Sequence, residues 1–190
     1  MAESMSRTSR LRLMLVLLVS LVGCDQASKH YATMHWKDRN PPRQSFLKDT
    51  FRIEYAENVG AFLGMFGNLA PAVRRLILVI GNAIGMAVLA AIILGTAKID
   101  RWSYIAWALV FVGGIGNLID RIRIHAVIDF LNLGVGNLRT GIFNVADMAI
   151  TAGFVMLLPQ IFRTSDGESD PAALTPVEPE GSPAPTPGSP

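Results

Sequence analysis

The chain has 190 residues, enough for one domain. Half of it is hydrophobic (51%) and only 17% is charged, against roughly a quarter in a soluble domain, so an ordinary soluble fold is disfavoured. The net charge of +2 says little about partners and no nucleic-acid partner is expected; the one cysteine, Cys24, excludes an intramolecular disulfide.

Residues 1–12 are polar and carry Arg7, Arg10 and Arg12, followed by the apolar run LMLVLLVSLVGC at 13–24. A basic head before a short apolar run resembles a secretory signal peptide. Leu21-Val22-Gly23-Cys24 also resembles a lipobox, which gives a rival reading as a lipoprotein that loses residues 1–23. Against it, Asp25-Gln26-Ala27-Ser28-Lys29 runs on without a breaker, so that a helix over about 11–34 is expected, long enough to span a bilayer. Asp25 and Lys29 lie four apart on one face of it. They read either as a surface ion pair or as a charged pair near the outer end of a spanning helix.

A polar link with Asn40-Pro41-Pro42 follows, and then Phe51, Ile53 and Tyr55 alternate with Arg52, Glu54 and Ala56, a strand pattern. Glu57 to Gly64 contains glycines suited to tight turns or to backbone lying close to a ligand. Residues 45–70 are expected to form a small extramembrane sheet or cradle, too small for its own core and so resting on the bilayer or on the helices. Pro71 suits the first turn of a second span at about 72–96, where Gly81 and Gly85 offer a small-residue face for close helix packing. A third span is expected at about 102–120, with Trp102, Tyr104 and Trp107 as an interfacial aromatic belt, and a fourth at about 142–162. Residues 76–97 and 102–119 carry no charge, which favours bilayer spans over the shorter buried helices of a soluble core.

Four spans put both termini on one side. Six cations lie on that side and eleven on the other, so the count opposes the basic head of the first helix; the first helix is taken to dominate, with termini inside. From Thr164 the chain holds seven of eleven prolines and five of fifteen acidic residues, a composition expected to be disordered. The expected division is a membrane domain at 1–163 and a tail at 164–190.

The chemistry is expected between Gly113 and Asp147. Gly113, Gly114 and Gly116 precede Asn117-Leu118-Ile119-Asp120-Arg121, and three glycines in four positions imply either helix packing or backbone brought close to substrate. Asp129 stands inside the apolar pentad Val127-Ile128-Asp129-Phe130-Leu131, where an ionisable group needs a partner or a function. Asp147, in Phe143-Asn144-Val145-Ala146-Asp147, could be a simple favourable charge at a helix N-terminus. Two carboxylates brought close do not both ionise readily, so one pKa rises and the pair can share a proton. The ionised member then takes a proton from water, the protonated one donates to a carbonyl oxygen, and water attacks the amide. No metal, nucleophilic Ser or Cys is needed. The scattered His30, His35 and His125 and the lone cysteine form no pattern with metal-ligand spacing, and no cofactor is expected.

The motifs at Asp25–Lys29, Asn58–Phe62, Gly113–Arg121, Val127–Phe130 and Phe143–Asp147, in that order, resemble the bacterial lipoprotein signal peptidases (signal peptidase II) over about residues 10–162. The resemblance implies an all-α membrane protein of four transmembrane helices with a small extracytoplasmic β-cradle. It implies an inner-membrane aspartyl endopeptidase that cuts prolipoproteins before a diacylglyceryl-modified cysteine, with its site near the outer face. By motif position it makes Asp129 and Asp147 the catalytic pair. It puts Asn58, Gly114, Asn117, Arg121 and Asn144 around the substrate, with Asp25, Lys29 and Asp120 in support. Prolipoprotein signal peptides and membrane lipid are the expected partners, and a monomer is expected. Two features depart from the family: Met148 stands where a serine usually follows the last Asp, and the Pro-rich acidic tail is unusual. The alternative is a non-catalytic four-helix scaffold or transporter subunit whose acids brace the helices.

Overall fold

The computed structural model describes residues 5–60, 69–96 and 99–165, with backbone alone for 160–165. The chain forms two compact units, Met1–Leu158 and Pro159–Pro190. The first is described below. Of the second, only the end of the last helix is described, and residues 166–190 of the expected tail lie outside the described residues.

The first helix is longer than the sequence predicts. It runs without interruption from Arg7 to Trp36, as α1 (Arg7–Leu17), a π-helical turn (Leu18–Val22) and α2 (Gly23–Trp36). Ser6 caps it by accepting from the Ser9 N–H. At the π turn the Ser20 hydroxyl donates to the Val16 carbonyl at 2.6 Å, competing for an acceptor of the regular ladder. Residues 21–24 are therefore helical and lie mid-helix.

The sheet is four-stranded and antiparallel, in the order β1 (Arg43–Phe46), β2 (Phe51–Asn58), β3 (Val127–Val135), β4 (Leu138–Arg139). The β2 strand confirms the alternating pattern, but half the sheet comes from 127–139, where the sequence shows no strand pattern between the spans. The reason is burial. Val127, Asp129, Phe130 and Asn132 are all buried, so β3 has covered residues on both faces near its start and shows no clean alternation. The Asp129-bearing strand pairs with β2, Ala56 opposite Asp129 and Asn58 opposite Val127. One end of the sheet rests on α2 through Ala32, Trp36 and Phe130, flanked by Ile53, Tyr55 and Leu131. The glycine-containing part of the expected cradle, residues 61–68, lies outside the described residues.

Helix α3 (Pro71–Gly95) begins on its proline, as expected. The expected packing at Gly81 and Gly85 is not found: a Cβ at either would have nothing within 4 Å. Its buried residues are Leu89 and Ile93, and Met86 packs beside them against Gly114. Helix α4 (Arg101–Ile124) is capped by Asp100, which accepts from the Trp102 and Ser103 N–H groups. It extends past 120, so Asp120 and Arg121 lie within it. Tyr104 is buried within the protein, and its hydroxyl donates to the Arg10 carbonyl, while Trp102 is exposed. Arg10 also donates to the Thr96 carbonyl at 2.7 Å, which fixes the start of the first helix beside the α3–α4 connection.

Helix α5 (Val145–Ser165) starts three residues later than expected. Phe143 is held in the sheet by its backbone, giving and taking hydrogen bonds with Leu131 at 2.9 and 2.8 Å, so the helix begins only after Asn144. It crosses α4 closely, since a Cβ at Gly153 would lie 2.6 Å from the Ala106 carbonyl and one at Gly113 would run into the Ala146 carbonyl. Among the described residues three helices are long and apolar enough to cross a membrane, Arg7–Trp36, Pro71–Gly95 and Arg101–Ile124; the apolar stretch Val145–Pro159 of α5 is shorter. Their outer faces are apolar, with Leu15, Val19, Ile84, Val88 and Phe154 all more than half exposed. Such a surface is stable in lipid and costly in water.

Candidate active site

The site forms where α2, α4, the start of α5 and the β2–β3 pair meet. Asp129, on β3, is buried; its Oδ1 accepts from Asn144 Nδ2 at 2.7 Å and its Oδ2 from Asn58 Nδ2 at 3.1 Å. Asp147, in the first turn of α5, accepts on Oδ1 from Asn117 Nδ2 at 2.8 Å and on Oδ2 from the Asn144 N–H at 3.2 Å. Asn144 thus binds both carboxylates.

Local sequence makes this possible. Asn144 is the N-cap of α5 and Asp147 its third residue. The Asp147 N–H donates to Asn144 Oδ1 at 2.9 Å while the Asp147 carboxylate takes the Asn144 N–H, which is a reciprocal capping box. Its carbonyl being used in the cap, the Asn144 amide nitrogen is left to face Asp129.

The same logic orients the other two amides. Asn58 Oδ1 accepts from the Gly60 N–H at 3.1 Å, so its nitrogen points to Asp129. Asn117 Oδ1 accepts from Lys29 Nζ at 3.1 Å and from Asn144 Nδ2 at 3.2 Å, so its nitrogen points to Asp147. Neither an ammonium nor a main-chain N–H can accept, so each amide has one allowed orientation.

Behind this layer lies a buried ionic cluster. Lys29 Nζ is 2.8 Å from Asp25 Oδ2 and 2.8 Å from Asp120 Oδ2, with all three side chains almost fully buried. This rules out the simple surface pair considered for Asp25 and Lys29. The other Asp25 oxygen accepts from the Ala146 N–H at 3.0 Å, tying α2 to the first turn of α5. Asp120 also accepts from the Ile128 N–H at 3.3 Å, tying α4 to β3. Gly116 makes room for this: a Cβ there would lie 2.8 Å from Asp25 Oδ2 and 3.1 Å from the Ala146 methyl.

Gln26 is not among the residues that the sequence places in the site. Its Nε2 donates to Asp120 Oδ1 at 2.9 Å and to Asp25 Oδ2 at 3.2 Å, and its Oε1 accepts from Arg123 at 3.3 Å. The signal is adjacency to Asp25, but only the structure shows that the amide faces inward. Two other expected residues stand apart from the carboxylates. Gly114 lies against α3, where a Cβ would run into Met86 Sδ. Arg121 is half-buried and donates to the Asn117 carbonyl of its own helix at 3.4 Å, within electrostatic reach of Asp147, Asp129 and Asp120. Met148 is exposed.

Burial raises the Asp129 pKa above the ordinary carboxylate value, and the nearby Asp147 charge adds to the effect, giving about 6 against the opposing pull of the Asn58 and Asn144 amides. The arrangement therefore offers one carboxyl that can hold a proton near neutral pH beside a second acid joined to it through a single asparagine. That is the requirement for acid–base attack of water on an amide.

Comparison with known proteins agrees with this chemistry. Residues 17–163 match the family model described as Signal peptidase (SPase) II. The chain is 33% identical over 170 residues to a protein named lipoprotein signal peptidase from Sphingopyxis alaskensis, covering 88% of this chain and 96% of that one. It is 32% identical over 157 residues to one of the same name from Streptococcus pyogenes serotype M1, covering 82% and 96%. Two solved bacterial membrane enzyme structures share the fold. One, at 2.3 Å resolution, has a TM-score of 0.70 at 22% identity and covers 90% of this chain and 98% of its own; the other, at 1.9 Å, has 0.71 at 21%, covering 86% and 98%. The matched region contains every site residue described above, and the chain belongs to the signal peptidase II family.

Proposed function

We propose that this protein is a membrane peptidase that removes signal peptides from prolipoproteins, with Asp129 and Asp147 as its catalytic residues. The observation that carries the assignment is Asn144. It donates to Asp129 from its side chain and to Asp147 from its backbone, so the two acids act as a unit. The cut falls before a diacylglyceryl-modified cysteine. One carboxylate takes a proton from water as its oxygen attacks the scissile carbonyl carbon, and the other carboxyl, protonated, donates to the carbonyl oxygen. The resulting diol collapses as the first carboxyl passes its proton to the amide nitrogen, the C–N bond breaks, and the other carboxylate takes back a proton from a diol hydroxyl, which restores both acids. We assign the initial proton to Asp129, because burial holds its pKa at about 6. Asn58, Asn117 and Asn144 orient the acids, Arg121 orients the substrate, and Gly114 lets α4 pack closely against Met86 of α3. The Asp25–Lys29–Asp120 cluster fixes the helices that carry them.

The membrane domain is 1–163, followed by the Pro-rich acidic segment 164–190. Helix α5 is the fourth span: its 21 residues reach about 31 Å at 1.5 Å each, enough for a hydrocarbon core. The sheet is a cradle on the outer side of the inner membrane, the termini are cytoplasmic, and the enzyme works as a monomer, since one chain supplies every group named. The scaffold alternative is not favoured by the family match. The test is cleavage of a diacylglyceryl-modified prolipoprotein by the purified full chain. Cleavage immediately before the lipidated cysteine is expected, and a folded wild-type protein that leaves this substrate intact overturns the assignment.

A further inference from the structure

Asp25 and Asp120 each grip the chain one position before a proposed catalytic acid. Asp25 Oδ1 accepts from the N–H of Ala146, which precedes Asp147, at 3.0 Å. Asp120 Oδ2 accepts from the N–H of Ile128, which precedes Asp129, at 3.3 Å. The spacing of the two grips therefore bears on the spacing of Asp129 and Asp147. Two buried carboxylates repel, and two side chains of α2 hold these together. Lys29 is one, 2.8 Å from each. Gln26 is the other: its Nε2 lies 2.9 Å from Asp120 Oδ1, 3.2 Å from Asp25 Oδ2 and 3.3 Å from the Gly116 carbonyl.

Gln26 can do this in one orientation only. Arg123 donates to its Oε1 at 3.3 Å, and a guanidinium cannot accept, so the amide nitrogen turns to the acids. Arg123 is exposed in the last turn of α4, so a surface cation sets the direction of a half-buried amide.

The spacing has a measurable consequence at Asp129. Asp147 acts on it from α5 and Lys29 from α2, and Arg121 of α4 lies within electrostatic reach. Asp120 of α4 is bonded to Lys29, Glu57 of β2 to Lys37 and Arg139 of β4 to Asp49. After burial, the Asp147 charge is the main cause that raises the Asp129 pKa. Repulsion falls with distance, so a wider spacing lowers that pKa.

We infer that Gln26 is a positioning residue of the peptidase site: by bridging Asp25 and Asp120, with its amide aimed by Arg123, it sets the separation of Asp129 and Asp147. The inference rests on the peptidase assignment, but its first readout needs no turnover. The Asp129 carboxyl of the full chain in detergent is titrated by infrared difference spectroscopy, its band assigned by loss in Asp129→Asn. Prolipoprotein cleavage is measured alongside. The wild-type midpoint is expected at about 6. Gln26→Met should lower it by about 0.5 and lower kcat about 10-fold, with KM within about 2-fold of the wild type. Arg123→Met, a change at an exposed position, frees the Gln26 amide to turn over and should shift both quantities the same way by less. Midpoints that stay or rise in both variants overturn the inference. So does a Gln26→Met protein that loses unfolding stability while its midpoint and kcat match the wild type, since Gln26 is then only a brace. A midpoint that falls in Gln26→Met beside a wild type that does not cleave supports the spacing role and removes the peptidase assignment instead.

Discussion

Two pairs of aspartates lie close to one another in this fold, and their surroundings differ. Asp25 and Asp120 share the ammonium of Lys29 at 2.8 Å each, a buried cation that balances buried negative charge. The hydrogen bonds to Asp129 and Asp147 come instead from asparagine amides and one main-chain N–H. Neutral donors favour the ionised carboxylate less than a directly bonded cation does, and at Asp129 burial and the Asp147 charge outweigh them. The ionic pair therefore serves as a brace between helices, and the amide-held pair is the one proposed to exchange protons. Asn117 joins the two, since Lys29 fixes its carbonyl and its nitrogen then faces Asp147.

Substitution at the amide-held pair should have the largest effect. Asp129→Asn and Asp147→Asn should each lower prolipoprotein cleavage by at least about 10³-fold while the protein remains folded in detergent. Normal cleavage by either variant would remove that acid from the pair.

At the ionic pair the loss should appear in stability. Lys29→Met leaves two buried carboxylates without their counter-charge and should cost about 3–5 kcal/mol in unfolding free energy. Adding Asp25→Asn and Asp120→Asn to Lys29→Met should recover part of it. A Lys29→Met protein as stable as the wild type would show that the cluster is no brace.

The glycines sharpen the contrast between helices. Gly113→Ala drives a methyl against the Ala146 carbonyl and should cost about 1–3 kcal/mol in unfolding measurements. Gly85→Ala, where a Cβ meets nothing within 4 Å, should stay within about 0.5 kcal/mol.

The smallest effect is the pH response of Asp129. Its folded pKa of about 6 lies above its ordinary value of 3.8, so the native state binds more protons than the unfolded one between them. This contribution to stability is full below the unfolded value and is lost as pH rises through about 6. Thermal unfolding of the wild type should therefore weaken relative to Asp129→Asn across that window. For wild-type cleavage, kcat/KM should fall on its alkaline side with an apparent pKa of about 6.

Much of this is legible in the sequence because it depends on local or compositional signals. Uncharged apolar runs mark spans whatever they pack against, and Pro71 marks the start of α3 by its own geometry. The alternation over residues 51–56 marks β2, whose Ile53 and Tyr55 pack against Ala32, Trp36 and Phe130. The motif positions of Asp129 and Asp147 point to the acids that one asparagine brings together.

Other features have no local signal. The β3 strand is covered on both faces near its start, so its residues there show no period that distinguishes strand from loop, and its partner β2 lies some seventy positions earlier in the chain. The pair Gly81 and Gly85 looks in sequence much like the pair Gly113 and Gly116; only the neighbour opposite each decides which is a close crossing. Tyr104 reads in sequence as an interfacial aromatic, and only the fold packs it with Leu89, Ile93 and Ile99 and brings its hydroxyl to the Arg10 carbonyl.

The sequence by itself determined which segments prefer lipid, where helices can start, and which acids need an explanation, because these follow from the solvation and backbone preferences of single residues. Only the tertiary structure decided that one pair of aspartates shares the Lys29 ammonium while the other is held by amides. That choice depends on which side chains from α2, α4, β3 and α5 come within about 3 Å of each other, a relation between distant positions that no single stretch of the chain carries.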